Sequence, residues 1–427
     1  MGYGGSQVLR LATNLILTRM LFPEAFGMMA LVQVLMIGLA MFSDLGVSPA
    51  IMASKRGDDQ KFLDTAWTIQ VIRGFTLWLV ACGLAFPMAS FYGEPEMAMI
   101  IPIAALSLII VGFNPTRLDT ANRHLLLGRV TSIDMATQIV GVVAAVAFAW
   151  IWQSVWALVF SGVLSSVVQY FLYTYLLPGK ANRFRWEKSA ASELIHFGKW
   201  IFLSTVAGFL YHQGDRVILG KFLTLEQLGI YNIGYFLASF PMLLGVATVR
   251  KIMIPLYRER PPAASSENFN KLRRLRTLVS AGLLILVILL ACFGNILVGV
   301  LYDIRYSGAG AIVVLVACTL ILPIITVTYD QAALAAGDTA RFFVLSASKA
   351  FLTVGALLIG VTTAGLFGAL VGQGIAMILI YPIGAWLARQ HGAWDPAHDA
   401  LFVIVGVIGA ALAIWLNIAP ISQLIVQ

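Results

Sequence analysis

The apolar residues of this chain follow neither the two-residue alternation of a half-buried strand nor the narrow stripe of a soluble amphipathic helix. They run almost unbroken for about 20 residues at a time, the length that takes an α-helix across ~30 Å of hydrocarbon at ~1.5 Å per residue. Thirteen such stretches occur, over residues 2–21, 27–52, 64–90, 98–116, 134–152, 155–177, 194–219, 227–250, 277–300, 310–334, 346–363, 366–388 and 399–418. A membrane β-barrel would instead show alternating segments of ~10 residues. The pattern predicts an all-α polytopic membrane protein of about 13 transmembrane helices.

Composition sharpens that reading. The chain has 427 residues, 60% hydrophobic and 11% charged, with a mean hydropathy of +0.88. Soluble domains are about a quarter charged, and disordered chains are more polar still, so both classes are excluded. Cys82, Cys292 and Cys318 all lie inside apolar runs, which is neither a disulfide framework nor a metal spacing. No His/Cys ligand pair, glycine-rich phosphate loop or nucleotide motif occurs, so no cofactor is expected and the chain does not read as an enzyme. No cleavable leader is visible, and Asn114 is followed by Pro115, which disqualifies it as a glycan acceptor.

The net charge of +8 would suggest nucleic acid in a soluble protein; its distribution says otherwise. Twenty of the 28 basic residues fall in one set of alternate loops, only Lys221 and Arg305 fall in the other, and six lie in or at helices. Basic loops stay on the cytoplasmic side. The N-terminus is therefore predicted inside, and an odd number of spans puts the C-terminus outside, in a bacterial inner membrane. The longest internal loop, 252–276, carries Lys271-Leu272-Arg273-Arg274-Leu275-Arg276 and reads as a basic flank beside anionic lipid headgroups.

Residues 18–27 (TRMLFPEAFG) and 220–229 (GKFLTLEQLG) share Arg19/Lys221, Leu21/Leu223, Glu24/Glu226, Phe26/Leu228 and Gly27/Gly229, at an offset of 202. A weaker echo pairs Leu125 and Gly128 with Leu334 and Gly337, at an offset of 209. These echoes predict a duplicated six-helix unit, 1–193 and 194–398, followed by an additional helix in 399–427. An even number of helices keeps both copies in the same orientation.

Charge inside a membrane is costly and marks cavities or partners. Arg10 lies about 11 residues, or ~16 Å, from the external end of the first span, on one face with Tyr3, Gln7 and Asn14. Gln70 and Arg73 are neighbours on the third span, where Arg73 reads either as the partner of a carboxylate such as Asp44 or as part of a cationic substrate cavity. The seventh span carries Lys199, His212, Asp215 and Arg216. His212 reads as a proton relay or as a helix–helix hydrogen bonder. The Asp215–Arg216 pair reads as a local salt link or as functional. Asp44 and Asp330 read as capping and pairing charges or as a coupling-cation site for Na+ or H+.

The hairpin LTRMLFPEAFG (17–27) with FSDLG (42–46), the external turn FYGEP (91–95) and DRVILGKFLTLEQLGIYNIGY (215–235) together resemble the polysaccharide transporter branch of the multidrug/oligosaccharidyl-lipid/polysaccharide (MOP) flippase superfamily. The likeness extends over most of residues 1–390. It implies two six-helix lobes around a central cavity. It also implies transfer of an undecaprenyl-pyrophosphate-linked oligosaccharide to the outer leaflet, for O-antigen, capsule or exopolysaccharide. Polysaccharide polymerase and chain-length machinery would be partners, with membrane lipid around the chain and no nucleic acid. A cavity with Arg10, Arg73 and Lys199 would attract the pyrophosphate. Two departures stand out: the chain starts almost inside its first span, so a natural start upstream is expected, and its thirteenth span lacks the usual companion. The competing readings are a cation-coupled multidrug exporter, which favours acidic and aromatic walls, and a membrane polymerase, which favours a large external loop.

Overall fold

The computed structural model describes residues 2–43, 46–198 and 202–426. Asp44 and Lys199 fall outside them. Every regular element among the described residues is helical. Two compact units form, Met1–Phe209 and Leu210–Gln427.

The first unit contains α1 (Gly2–Met20), α2 (Pro23–Phe42), α3 (Val47–Ala53), α4 (Gln60–Tyr92), α5 (Met97–Ala104), α6 (Leu106–Gly112), α7 (Arg117–Arg123), α8 (Leu127–Trp152), α9 (Val155–Leu176) and α10 (Lys188–Gly198). Helix α11 (Phe202–Phe222) runs into the second unit. There follow α12 (Leu225–Glu259), α13 (Ser266–Leu301), α14 (Ala309–Thr319), α15 (Ile321–Thr326), α16 (Tyr329–Ala335), α17 (Thr339–Gln390), α18 (Pro396–Leu416) and α19 (Ile418–Val426).

Nine helices among the described residues are long and apolar enough to cross a membrane, or ten with the bent pair Met97–Gly112 and Arg117–Arg123. The expected thirteen exceed this for physical reasons. Helices α1 and α11 are 19 and 21 residues long but carry polar stripes that lower their hydropathy. Helix α17 counts once although its 52 residues would measure about 78 Å if straight. It is not straight: Ala364 and Gly365 leave helical geometry, with Gly365 at φ +55°. The two arms fold together, so that a Cβ on Gly360 would meet the Gly368 carbonyl oxygen at 2.1 Å and one on Gly372 the Ala356 oxygen at 2.3 Å. The bend falls in the gap between the predicted stretches 346–363 and 366–388.

The two units repeat one plan. Each opens with a helix and a two-residue turn into the next: α1 to α2 through Leu21-Phe22, α11 to α12 through Leu223-Thr224. Glu24 and Glu226 lie in the first turns of α2 and α12, where the helix dipole favours an anion. Each unit then has a span broken into three pieces, α5–α7 and α14–α16. Both end on a left-handed residue, Leu125 (φ +57°) and Gly337 (φ +72°). The next amide closes each cap onto a carbonyl five residues back, Leu126 to Ala121 and Asp338 to Ala333. The hairpin residues Gln153 (φ +48°) and Gly365 stand at the same offset of 212. The second sequence echo is therefore in structural register at 212, not 209; loop length moved it.

Close packing inside the first unit uses small residues and tryptophan. Gly74 of α4 and Gly112 of α6 let the backbones touch: a Cβ on Gly74 would lie 2.8 Å from Leu108 O. Trp78 Nε1 donates to Pro102 O (3.1 Å) and Trp67 Nε1 to Phe113 O (3.2 Å), satisfying carbonyls freed where that span breaks. The outer faces carry Phe86, Trp150, Val300, Phe351 and Trp415, all over two-thirds exposed, as a lipid-facing surface requires.

The segment after α9 is an extended strap. Its Arg183, Arg185 and Glu187 amides donate to Asp64 Oδ1, Thr68 Oγ1 and Thr65 Oγ1 of α4. Phe184 packs on Trp67 at 4.8 Å, and Arg56 bridges Glu187 and Asp59 at 2.8 Å each. The Arg56 guanidinium, with the Lys61 amide, holds Asp59 below its ordinary range. Ser189, then Arg56, does the same for Glu187, and His124 does so for Asp58.

Candidate functional site

The first unit contains a cavity of about 450 Å³, walled by α1, α2, α8 and α9. Two of its wall residues, Arg10 and Asn14, are four apart on α1 and so share a face. Helix α8 adds Asp134, Thr137, Gln138 and Gly141; α9 adds Ser165 and Gln169; Leu17, Phe26 and Val142 supply apolar wall.

Hydrogen bonds fix this polar wall. Ser6 Oγ donates to Gln138 Oε1 (2.7 Å), and Gln138 Nε2 returns a bond to Ser6 O (3.0 Å), tying α1 to α8. Tyr173 OH donates to Asp134 Oδ1, and Gln169 Nε2 donates to Tyr173 OH (3.2 Å), tying α8 to α9. Thr137 is 7% exposed, and its closed-off hydroxyl has no hydrogen-bond partner among the described residues.

Other predicted residues are placed elsewhere. Arg73 reaches from α4 to the end of α2, donating from Nε to Ser43 Oγ (2.9 Å) and from Nη2 to Ala40 O (2.6 Å). A guanidinium on C-terminal carbonyls suits the helix dipole. Gln70 lies where α4 meets α6, its carbonyl 2.9 Å from a Cβ placed on Gly112. Neither Arg73 nor Gln70 lines the cavity that holds Arg10.

In the second unit Asp215 and Arg216 turn to separate partners on α12. Asp215 Oδ2 accepts from Tyr231 OH (2.7 Å), while Arg216 donates to Asn232 Oδ1 (2.8 Å) and to Gln213 Oε1 (3.0 Å) and lies over the Tyr235 ring. The predicted local salt link is thus replaced by two interhelical ties, since residues i and i+1 diverge by ~100° on a helix. Asp330 pairs with Lys349 at 2.5 Å, and Lys349 Nζ lies 5.9 Å over Tyr211, whose ring meets His212 at 5.0 Å. One polar group therefore joins Asp330, Lys349, Tyr211 and His212.

The basic loop holds a further correction. Arg276, expected to flank lipid headgroups, is 1% exposed. It lies 4.7 Å over the Tyr329 ring and donates to Thr328 Oγ1 (3.1 Å) and Tyr257 OH (3.2 Å). Beside it Asp399 accepts from Tyr329 OH (2.6 Å) and Tyr381 OH (2.8 Å). His398 bridges Asp399 Oδ1 (3.0 Å) and Ser280 Oγ (3.2 Å). Ser280, His398 and Asp399 stand in the order of a hydrolase triad, but Ser280 is 0% exposed. With no route to a substrate the chain of bonds is structural, fastening α18 to α13, α16 and α17. Asp134, Gln169, His398 and Asp399 were missed by reading charge alone. The i, i+4 spacing of Asp134 with Gln138, and of Ser165 with Gln169 and Tyr173, was the available signal.

The family model described as "Polysaccharide biosynthesis protein" matches residues 16–335. Among curated relatives, the succinoglycan biosynthesis transport protein ExoT of Rhizobium meliloti (strain 1021) is 24% identical over 256 residues, 59% of this chain and 51% of that protein. The lipopolysaccharide biosynthesis protein WzxC of Escherichia coli (strain K12) is 20% identical over 425 residues, 94% of this chain and 83% of that protein. The chain spans about half the length of the first curated relatives it matches, 51% and 50%. Among solved structures, the lipid II flippase MurJ in an inward closed conformation superposes with a TM-score of 0.72 at 10% identity, over 99% of this chain and 96% of that one. An inward-facing multidrug resistance MATE family transporter of the MOP superfamily gives 0.66 at 14% identity, over 90% and 95%. At these identities the two structures share the fold with this chain.

Proposed function

Since the chain belongs to the polysaccharide biosynthesis protein family, we propose that it is a flippase. On this reading it carries an undecaprenyl-pyrophosphate-linked oligosaccharide repeat unit from the inner to the outer leaflet by alternating access, for O-antigen, capsule or exopolysaccharide synthesis. The observation that carries it is the family match over residues 16–335 of a chain with a flippase-like fold. The polar cavity walled by Arg10 and Asn14 supports it, because a polar, partly charged wall inside apolar spans is stable only against a polar occupant or water. The MATE-like score of 0.66 leaves an exporter of the same fold as the competing reading; the family match favours the lipid-linked glycan. On this reading the protein sits in a bacterial inner membrane with its N-terminus inside, an orientation that the excess of basic residues in one set of loops, twenty against two, supports.

Coupling to Na+ or H+ is assigned to the group of Asp330, Lys349 and His212 in the second unit, since intramembrane ionisable groups serve relays and ion paths. A polymerase and chain-length machinery would act on the delivered repeat unit. The test is deletion, followed by extraction of lipid-linked glycan and its exposure to an external glycosidase in intact cells. Accumulation of shielded repeat unit is expected. Normal outward exposure in a strain lacking any second flippase would sink the proposal.

A further inference from the structure

The strap after α9 carries charges that the fold of the first unit does not use. Lys180, Arg183, Arg185 and Lys188 are all exposed, and none of their side chains has a partner among the described residues. Other arginines nearby are taken: Arg56 by Asp59 and Glu187, Arg123 by Asp58, and Arg117 by carbonyls at the end of α9. Among the free cations stand Phe184 and Trp186, both more than half exposed. Exposed rings interleaved with unpaired guanidiniums suit a partner that is anionic on one side and apolar on the other.

The place of the strap in the first unit points to that partner. Its Arg183, Arg185 and Glu187 amides bond the side chains of Asp64, Thr68 and Thr65, in the first turns of α4. Alternate amides face α4 as in a strand, so those of Phe184 and Trp186 point away, and neither finds a partner among the described residues. Thr68 shares one face of α4 with Ile72, Phe75, Leu79 and Phe86, an exposed apolar stripe suited to lipid tails. Helix α4 has 33 residues and measures about 50 Å, against ~30 Å of hydrocarbon and ~40–45 Å with headgroups. The strap therefore crosses the lipid-facing side of α4 just beyond the apolar stripe, at headgroup depth. That is the end where the basic loops gather, the side on which anionic lipid attracts them.

We infer that the strap is a binding site for anionic phospholipid of the inner leaflet. Arg183 and Arg185 take the phosphate, to which a guanidinium offers a two-donor fork. Lys180 and Lys188 add positive charge on either side. The outward amides of Phe184 and Trp186 donate to the same headgroup layer. Their rings lie at the boundary of headgroup and acyl chain, where aromatic residues settle; Phe184 is already held there, 4.8 Å from the Trp67 ring. The site is independent of what the cargo is.

The test uses the full chain in phosphatidylcholine nanodiscs doped with phosphatidylglycerol that carries a photoreactive headgroup. Illumination and peptide mapping give the labelling of residues 180–188 and, as an internal reference, of residues 252–276. Competition replaces part of the phosphatidylcholine by unlabelled phosphatidylglycerol, by phosphatidylethanolamine or by undecaprenyl pyrophosphate. The strap is expected to be labelled, and phosphatidylglycerol to displace the label where phosphatidylethanolamine does not. Arg183→Gln combined with Arg185→Gln should lower strap labelling about tenfold to thirtyfold, at roughly fivefold for each basic residue near an anionic surface. The reference peptide should be unchanged. Both arginines hold α4 through backbone amides alone, so the glutamine pair leaves the strap in place. Lysine at both positions keeps the charge and should restore most of the labelling. An unlabelled strap, labelling that survives the glutamine pair, or equal displacement by phosphatidylethanolamine would overturn the inference. So would a lysine pair as weak as the glutamine pair, since charge would then not be the cause. Displacement by undecaprenyl pyrophosphate at a lower concentration than phosphatidylglycerol would make the strap a cargo contact and overturn it too.

Discussion

Replacing Asp399 should unfasten the last long helix from the second unit, with a cost that follows from its partners. The carboxylate is 1% exposed and accepts from Tyr329 OH, Tyr381 OH and His398 Nδ1, groups on three different helices. Hydrogen bonds between membrane helices average only about 0.6 kcal/mol in double-mutant cycles, because the unfolded chain finds other partners. Asp399→Ala is a harsher change, since it strands three donors in a closed interior. At about 1 kcal/mol for each buried orphan, the low end of the usual range, the loss is about 3 kcal/mol. Arg276, stacked on Tyr329 and 1% exposed, also loses a nearby counter-charge. Breaking such a buried charge set costs about 3–5 kcal/mol. Asp399→Asn keeps the shape and one acceptor and should lose about half as much. Ser280→Ala removes only the 3.2 Å contact to His398, leaves one buried ring nitrogen without its partner, and should cost about 1 kcal/mol. Thermal unfolding of the detergent-purified protein, followed by the fraction remaining monodisperse, measures this. A fall of roughly 6–12 °C is expected for Asp399→Ala, at about 2–4 °C per kcal/mol for a unit of this size. A midpoint within about 2 °C of the unaltered protein would refute the claim that this network fastens α18.

Three further outcomes are expected. Single cysteines in a background lacking Cys82, Cys292 and Cys318 should react with an impermeant reagent in intact cells at Gly93 and Lys221, and not at Arg56, Arg123, Arg185 or Arg274; labelling in the 178–193 loop would reverse the topology. Gly360→Ala should destabilise by about 1–3 kcal/mol, because its Cβ meets a backbone oxygen at 2.1 Å, whereas Gly355→Ala, with open space around it, should be neutral in the same melt. The strap should respond to acid alone: Asp59 and Glu187 titrate below their ordinary 3.8 and 4.5, so their contribution is complete above those values and is lost as pH falls through the lower native ones. Amide protection factors at Arg183, Arg185 and Glu187 should then be constant from about pH 5 to 8 and fall below about pH 4; a fall between 5 and 8 would contradict that origin.

Some of this architecture could be read from residue order and some could not, and the difference is physical. Apolar run length carries the all-helical class and the bend at Ala364-Gly365, because a bilayer imposes a similar length on every span. The hairpins at Leu21-Phe22 and Leu223-Thr224 were legible because a two-residue turn into a helix constrains nearly every position around it. Helices α5 and α6 were read as a single stretch and α7 as loop: the breaks among these pieces are filled by tryptophan donors from α4, which no local pattern reveals. Arg276 was misread for the same reason. A basic residue in a basic loop is indistinguishable by sequence from its neighbours, and only the tertiary arrangement supplies Tyr257, Thr328 and Tyr329 to receive it.

The intramembrane charges follow one rule that sequence alone could state only in part. Arg10 was singled out because a guanidinium near mid-membrane needs a polar surround, and it does line a polar cavity. Among the described residues, Asp134 lies in the same wall. Asp134 escaped notice because its span was taken to begin at residue 134, whereas α8 begins at Leu127 and carries Asp134 two turns inside. A seven-residue shift in a helix start thus brings a carboxylate from the edge of the predicted stretch 134–152 into the wall. In a helix that must cross a membrane, where a polar residue sits along the axis decides its role as much as what it is.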